Sequence, residues 1–208
     1  MEGRIAKWYA ANTGKSMEEF RATARQVTGE IAPHSRVLEV APGPGYFAIE
    51  LAKLGDYRVE GLDISKTFVE IASRNARDNR VEASFLQGNA SHMPFENDIF
   101  DFIFCRAAFK NFSEPVQALQ EMHRVLKPGG KGLLADLRSD ASPGAIRQFV
   151  RGMGLGFASR ILTRLTFRFM LLNRAYSRDQ FRDFFSRTNF RSVEFQENPI
   201  GFAIRFEK

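Results

Sequence analysis

The sequence has little cysteine and little histidine. Its single cysteine, Cys105, excludes an intramolecular disulfide and any metal site built from several cysteines. The three histidines show neither HxxxH nor HxH spacing, so we expect no metal site. One lone thiol is compatible with a reducing compartment.

Long hydrophobic runs are also absent. The N-terminus has no apolar h-region, so no signal peptide is predicted. No stretch approaches the ~18 apolar residues that a membrane span requires. We therefore expect a cytoplasmic protein, and 208 residues suffice for one domain with its own core.

Acidic residues are scarce in the last third. Residues 1–140 hold 18 Lys and Arg against 19 Asp and Glu, whereas residues 141–208 hold 12 against 5. The net charge of +6 therefore comes from the C-terminal third. No nucleic-acid-binding motif accompanies it, so no nucleic-acid partner is expected.

Predicted strands alternate with predicted helices, which is typical of a doubly wound parallel sheet. A hairpin is predicted at the end, around Asn198-Pro199-Ile200-Gly201. The expected fold is α/β: a Rossmann-like, mostly parallel seven-stranded sheet with a closing antiparallel hairpin and a helical cap inserted before it. The predicted strands are 36–40, 58–62, 83–86, 100–104, 132–135, 191–195 and 202–206.

A glycine loop follows the first strand. Gly43 and Gly45 lie in the turn before a helix, where missing side chains let a ligand approach the backbone. Asp63 ends the second strand, where an acidic residue can accept two ribose hydroxyls. This pattern fits both a dinucleotide and S-adenosylmethionine (SAM).

Residues 36–137 resemble the class I SAM-dependent methyltransferases, particularly those of quinone and sterol biosynthesis. The resemblance favours SAM over NAD as the cofactor. Five motifs in order carry it: Glu39-Val40-Ala41-Pro42-Gly43-Pro44-Gly45, Val59 to Ser65, Gln87-Gly88-Asn89-Ala90 with Met93-Pro94-Phe95, Phe100 to Cys105, and Arg124 to Gly130.

The resemblance also implies a set of cofactor-binding residues. Gly43 and Gly45 would lie against the methionine part of SAM, and Glu39 would organise the loop and contact the amino group. Asp63 would take the ribose hydroxyls. Four further residues complete the set: Ile64 beside the adenine, Asn89 and Ala90 at its edge, and Arg106 on the methionine side. Asn89 departs from the commoner aspartate, but its amide oxygen can still accept from the adenine amine.

The acceptor side of the site is less clear. Lys110 and Asn111 follow the fourth strand, where related proteins often carry a polar His-His pair. Either residue could orient an acceptor, and a desolvated lysine could act as a base. Two exposed loop residues without a catalytic role are the alternative.

Residues 141–178, here the cap segment, contain seven arginines and no acidic residue. It lies between strands five and six, where the resembled family inserts helices, so the resemblance implies a helix that caps the acceptor pocket. Leu165 and Phe169 would be buried, with Arg160, Arg164 and Arg168 toward solvent or the pocket mouth. Two alternatives are a weak peripheral membrane contact through 160–172 and arginines that bind an acidic acceptor.

The expected domain is a single unit with four parts. They are an N-terminal helical lid at 1–34 that includes Trp8 and Tyr9, a cofactor-binding core at 35–140, the cap segment, and a closing helix and hairpin at 179–208. The predicted function is methyl transfer from SAM to a small molecule of hydrophobic or aromatic character. The alternative is a non-catalytic partner subunit that binds SAM or a nucleotide.

Overall fold

The computed structural model describes residues 2–3, 6, 17–152, 156–166 and 171–208. Helices and strands alternate in it as the sequence predicts. A short 3-10 helix at Phe109–Asn111 follows the fourth strand. The elements are α1 (Met17–Thr28), β1 (Arg36–Val40), α2 (Tyr46–Ala52), β2 (Arg58–Asp63), α3 (Lys66–Asn79), β3 (Ala83–Gln87), β4 (Phe100–Arg106), α4 (Pro115–Val125), β5 (Leu126–Leu137), α5 (Pro143–Gly152), α6 (Phe157–Thr166), α7 (Arg178–Ser186), β6 (Ser192–Asn198) and β7 (Gly201–Glu207).

The seven strands form one sheet in the order β3-β2-β1-β4-β5-β7-β6. Strands β1 to β5 are parallel, and β7 runs antiparallel to both β5 and β6. The predicted fold class is therefore confirmed, including the closing hairpin. Strands β1 and β4 are neighbours, but the chain continues from β1 to β2 on one side and from β4 to β5 on the other. A crevice therefore opens at the carboxyl ends of β1 and β4.

Helices cover both faces of the sheet. On one face α4 and α7 pack against the strands through Leu119, Met122 and Phe181. On the other face α1 and α2 pack against them through Val27 and Phe47. Burial on both faces explains why the central parallel strands are apolar without alternation.

Strand β5 begins earlier than predicted. Leu126 already pairs with Phe100, and the register then shifts so that Lys131 pairs with Phe102. The extra residues form a bulge that contains Pro128 and Gly129, and Gly129 has φ 75°. A bulge accommodates a proline, which has no N–H to donate to the neighbouring strand. The segment predicted as a turn is therefore the irregular beginning of β5.

The cap segment differs from the prediction in the face that it buries. Leu165 is 48% exposed and Ile161 is 44% exposed, whereas the Nε atoms of Arg160 and Arg164 are buried. The prediction that Leu165 is buried is therefore wrong. Helical spacing shows which residues share a face, but not which face packs inward, and arginine stems can themselves cover apolar surface.

Leu172 lies in a turn and packs beside Ile146 and Val150 of α5. Four residues with predicted roles lie outside the described residues, namely Trp8, Tyr9, Arg168 and Phe169. Among the described helices, none has the length and hydrophobicity needed to cross a membrane.

Candidate cofactor-binding site

The crevice at the carboxyl ends of β1 and β4 is built from backbone in the left-handed region. Gly43 and Gly45 have φ values of 55° and 77°, as the glycine loop requires. Ala41 and Ala107, which directly follow β1 and β4, have φ values of 56° and 55°. Left-handed alanines cost energy and tend to lie at functional sites. No sequence pattern marked these two alanines, although both are small residues directly after a predicted strand.

The two glycines of the loop have different surroundings. A Cβ on Gly45 would lie 2.8 Å from the Phe85 ring and 2.9 Å from the Ala72 Cβ. A Cβ on Gly43 would meet nothing within 4 Å. Gly45 therefore permits close packing of the loop against α3 and β3, while the Gly43 side of the loop is open to a ligand.

Asp63 connects this loop to β2. Its Oδ2 accepts a hydrogen bond from the Gly43 N–H at 3.0 Å, and its Oδ1 accepts one from the Ser65 N–H at 2.9 Å. The side chain is buried, and this burial raises the pKa of the carboxyl group. Each carboxylate oxygen has a further lone pair, so Asp63 can still accept hydroxyl protons.

Glu39 lies beneath the glycine loop. It is 4% exposed, and its Oε2 accepts a hydrogen bond from the Ala48 N–H at 3.0 Å. Burial raises the pKa of Glu39 to about 8, the nearby negative charge of Asp63 adds to this, and the Arg106 guanidinium opposes it. Glu39 pairs with Gly61 of β2 and with Phe104 of β4, and Asp63 and Arg106 follow two residues later on those two strands.

Arg106 ends β4 and is held by α1. Its Nη2 bonds Glu19 Oε2, and its guanidinium carbon lies 4.8 Å from the centroid of the Phe20 ring. Its Nη1 is buried and has no hydrogen-bond partner among the described residues. An unsatisfied buried donor is costly, so this atom fits an anionic group of a ligand. The contribution of α1 was missed, because no local signal links residues 87 positions apart.

The predicted adenine side is at the ends of β2 and β3. Ile64 is 66% exposed, a large apolar side chain at the rim of the crevice. Asn89 is exposed, and its Oδ1 accepts a hydrogen bond from the Ser91 N–H at 3.0 Å. The Gly88 N–H donates to the Asp63 backbone oxygen at 3.0 Å, which places the neighbouring Asn89 and Ala90 beside Asp63.

On the acceptor side, Lys110 is engaged with protein groups. Its Nζ lies 2.8 Å from Asp136 Oδ1, and the two side chains are only 7% and 0% exposed. Asn111 is exposed in the 3-10 helix. Asp136 was not predicted as a site residue, although an acidic residue in the apolar strand Leu133-Leu134-Ala135-Asp136-Leu137 was a usable signal.

Comparisons with known proteins agree with this geometry. Residues 38–134 match the family model of the methyltransferase domain. The chain is 35% identical over 125 residues to a demethylmenaquinone methyltransferase of Deinococcus radiodurans, across 59% of this chain and 52% of that relative. It is 38% identical over 117 residues to the uncharacterized methyltransferase YcgJ of Bacillus subtilis, across 56% of this chain and 46% of that relative.

A solved structure shows the same fold. The crystal structure of a SAM-dependent methyltransferase from Aquifex aeolicus superposes with a TM-score of 0.68 at 19% identity, covering 88% of each chain. The described part of the chain therefore has the Rossmann-like fold of that methyltransferase. Residues 38–134 are similar in sequence to the methyltransferase domain and to relatives named methyltransferases. The chain spans about half the length of the curated relatives it matches.

The residues at the crevice fit SAM. The open side of Gly43 and the unpartnered Arg106 Nη1 would hold the methionine part and its carboxylate. Asp63 would accept the ribose hydroxyls, and Ile64 offers apolar surface to the adenine. These roles remain the ones that the family resemblance predicts.

Proposed function

We propose that this protein transfers a methyl group from SAM to a small hydrophobic or aromatic acceptor. The buried and unpartnered Nη1 of Arg106, at the end of the strand that pairs with the Glu39 strand, is the observation that carries the proposal. One unpaired donor and the buried carboxyl groups of Glu39 and Asp63 suit a zwitterionic ligand with hydroxyl groups.

Bound SAM supplies a methyl group on a sulfonium, which is already an activated electrophile. The protein residues then have to hold the donor, orient the acceptor and exclude water, and alignment of this kind can lower a barrier by several kcal/mol. Gly43, Asp63 and Arg106 would hold the donor. Lys110 and Asn111 would face the acceptor, and the Asp136 carboxylate keeps the Lys110 amine in position.

The proposed acceptor class rests on the aromatic residues after β4. The Phe109 ring contacts those of Tyr176, Phe181 and Phe184, with centroids 5.5 to 6.5 Å apart. Tyr176 and Phe184 are only half-buried. The relative of Deinococcus radiodurans is named for a quinone substrate, which supports an aromatic acceptor of the quinone type.

A non-catalytic SAM-binding subunit is the second candidate. The ion pair between Lys110 and Asp136 favours it, since it engages the amine that could serve as a base. No histidine follows β4 in the loop to take that role. The two functions differ in turnover, which can be followed with methyl-labelled SAM and extracts of small molecules.

Label that enters an extractable compound supports the enzyme, and its chromatographic behaviour identifies the acceptor class. Asp63→Ala is the matched control, because it should weaken cofactor binding tenfold or more while the fold persists. Tight binding of S-adenosylhomocysteine without transfer to any extract would support the non-catalytic subunit instead.

A further inference from the structure

Most of the described arginines of the cap segment have no acidic partner among the described residues. Arg178 pairs with Glu197 at 2.8 Å. Within the described ranges, no ion pair involves the other five described arginines of the cap segment. They are Arg147, Arg151, Arg160, Arg164 and Arg174. Since residues 141–178 contain no Asp or Glu, this positive charge is not neutralised locally.

The same two helices expose large apolar side chains. Phe149 of α5 is 39% exposed, and Ile161 and Leu165 of α6 are 44% and 48% exposed. These are three of the six exposed large hydrophobic residues in the described part of the chain. Ile161 and Leu165 are one turn apart and therefore share one side of α6.

The inner side of α5 is already packed, so its remaining side chains face outward. Ile146 and Val150 are buried and contact Leu137 at the end of β5, together with Leu171 and Leu172. Arg147 and Arg151 are one turn apart on one flank of α5, and Phe149 is exposed on the opposite flank. Unpaired arginines and large apolar side chains on the outward sides of two neighbouring helices are the composition of helices that lie in a membrane interface.

We propose that α5 and α6 form a docking surface for an anionic lipid membrane. The surface is defined by Arg147, Phe149, Arg151, Ile161 and Leu165. The arginines attract acidic head groups, and the three apolar side chains enter the region between head groups and acyl chains. A nucleic-acid backbone would match the arginines alone and leave the exposed Ile161 and Leu165 without a role.

The docking itself does not depend on catalysis. Its consequence does rest on the proposed function: a methyltransferase held at a membrane through its cap segment would receive a lipophilic acceptor from the bilayer. The test therefore measures membrane binding without SAM and without an acceptor. Calorimetry with S-adenosylhomocysteine on the same preparation reports separately on the cofactor site.

The experiment is sedimentation of the full chain with vesicles of phosphatidylcholine alone or mixed with phosphatidylglycerol. We expect binding to the mixed vesicles only, and weaker binding as salt rises from about 0.15 M to about 1 M, where the Debye length falls from about 8 Å to about 3 Å. Arg147→Gln with Arg151→Gln should reduce partitioning roughly 25-fold, or about fivefold for each arginine near the surface. Ile161→Ser with Leu165→Ser should reduce it as well.

Two matched controls lie outside the cap segment. Leu54→Ser removes a leucine that is also 44% exposed, and Arg74→Gln with Arg77→Gln removes two exposed arginines of α3. Both should bind vesicles like the wild type. A folded wild type that stays in the supernatant overturns the proposal, as does a control that loses as much binding as its cap variant. Wild-type binding by the Ile161 and Leu165 variant would also overturn it, since a surface for any polyanion, including RNA, would behave in that way.

Discussion

Protonation of Glu39 should couple cofactor binding to pH. Burial raises the Glu39 pKa to about 8, so its carboxyl group carries a proton in the free protein at neutral pH. We propose that Glu39 contacts the amino group of SAM, which is a cation. An ammonium group favours the ionised carboxylate, so binding should release the proton.

The size of this effect follows from the pKa of about 8. Each unit of pH below the pKa adds ~1.4 kcal/mol to the cost of ionising the group. At about pH 7 the affinity should be roughly tenfold below its limit at high pH, and at about pH 6 roughly 100-fold below it. The logarithm of the association constant should rise with a slope near one up to about pH 8 and then flatten.

Calorimetric titration with S-adenosylhomocysteine tests this prediction, because that molecule carries the same amino group. In buffers of different ionisation enthalpy, the wild type should release nearly one proton for each molecule bound at about pH 7. Glu39→Gln preserves the shape of the side chain and the acceptor for the Ala48 N–H, but it cannot ionise. Its affinity should be nearly independent of pH.

A pH-independent wild-type affinity between about pH 6 and pH 8, without proton release, would refute the reasoning. It would show either that Glu39 is already ionised in the free protein or that it does not contact the amino group. Equal slopes for the wild type and Glu39→Gln would assign the titration to another group.

Three further predictions concern stability and the glycine loop. The pKa of Glu39 in the folded protein lies above its ordinary value of 4.5, so the wild-type free energy of unfolding should fall by about 3 kcal/mol between about pH 5 and pH 8. In urea unfolding, the free energy of Glu39→Gln should depend less on pH than that of the wild type. Gly45→Ala should destabilise the fold by about 1–3 kcal/mol, because the added Cβ clashes with its neighbours. Gly43→Ala should cost only ~1 kcal/mol of stability but should weaken the binding of S-adenosylhomocysteine. The reverse order in thermal unfolding and calorimetry would contradict this prediction. Lys110→Met should lower the free energy of unfolding in urea by about 3–5 kcal/mol, because it leaves Asp136 buried without its partner. The double variant Lys110→Met with Asp136→Asn should recover part of that loss. A single variant as stable as the wild type would show that the ion pair is not formed.

The cofactor side of the site was the part most accessible from sequence. Gly43 and Gly45 adopt left-handed backbone that glycine tolerates best, and Asp63 ends a strand whose apolar run marks it as buried. These are local properties. A turn, a strand end and a helix start are decided within a few residues, so their order along the chain was enough to predict the crevice.

The partners of the site residues could not be predicted in this way. Arg106 is held by Glu19 and Phe20, which precede it by more than 80 residues, and Lys110 is paired with Asp136 from the next strand. Such contacts depend on which elements become neighbours in the sheet and on how closely α1 packs over it. No period or motif in a single sequence encodes those distances.

The sequence by itself therefore determined the class of fold, the glycine loop and the acidic residue Asp63 at the end of β2, because each rests on local backbone chemistry. Only the tertiary structure decided that Arg106 keeps an unpaired donor and that α6 turns Ile161 and Leu165 outward. The physical reason is the same in both cases. A helix or strand carries two usable faces, and packing against distant elements selects the one that is buried.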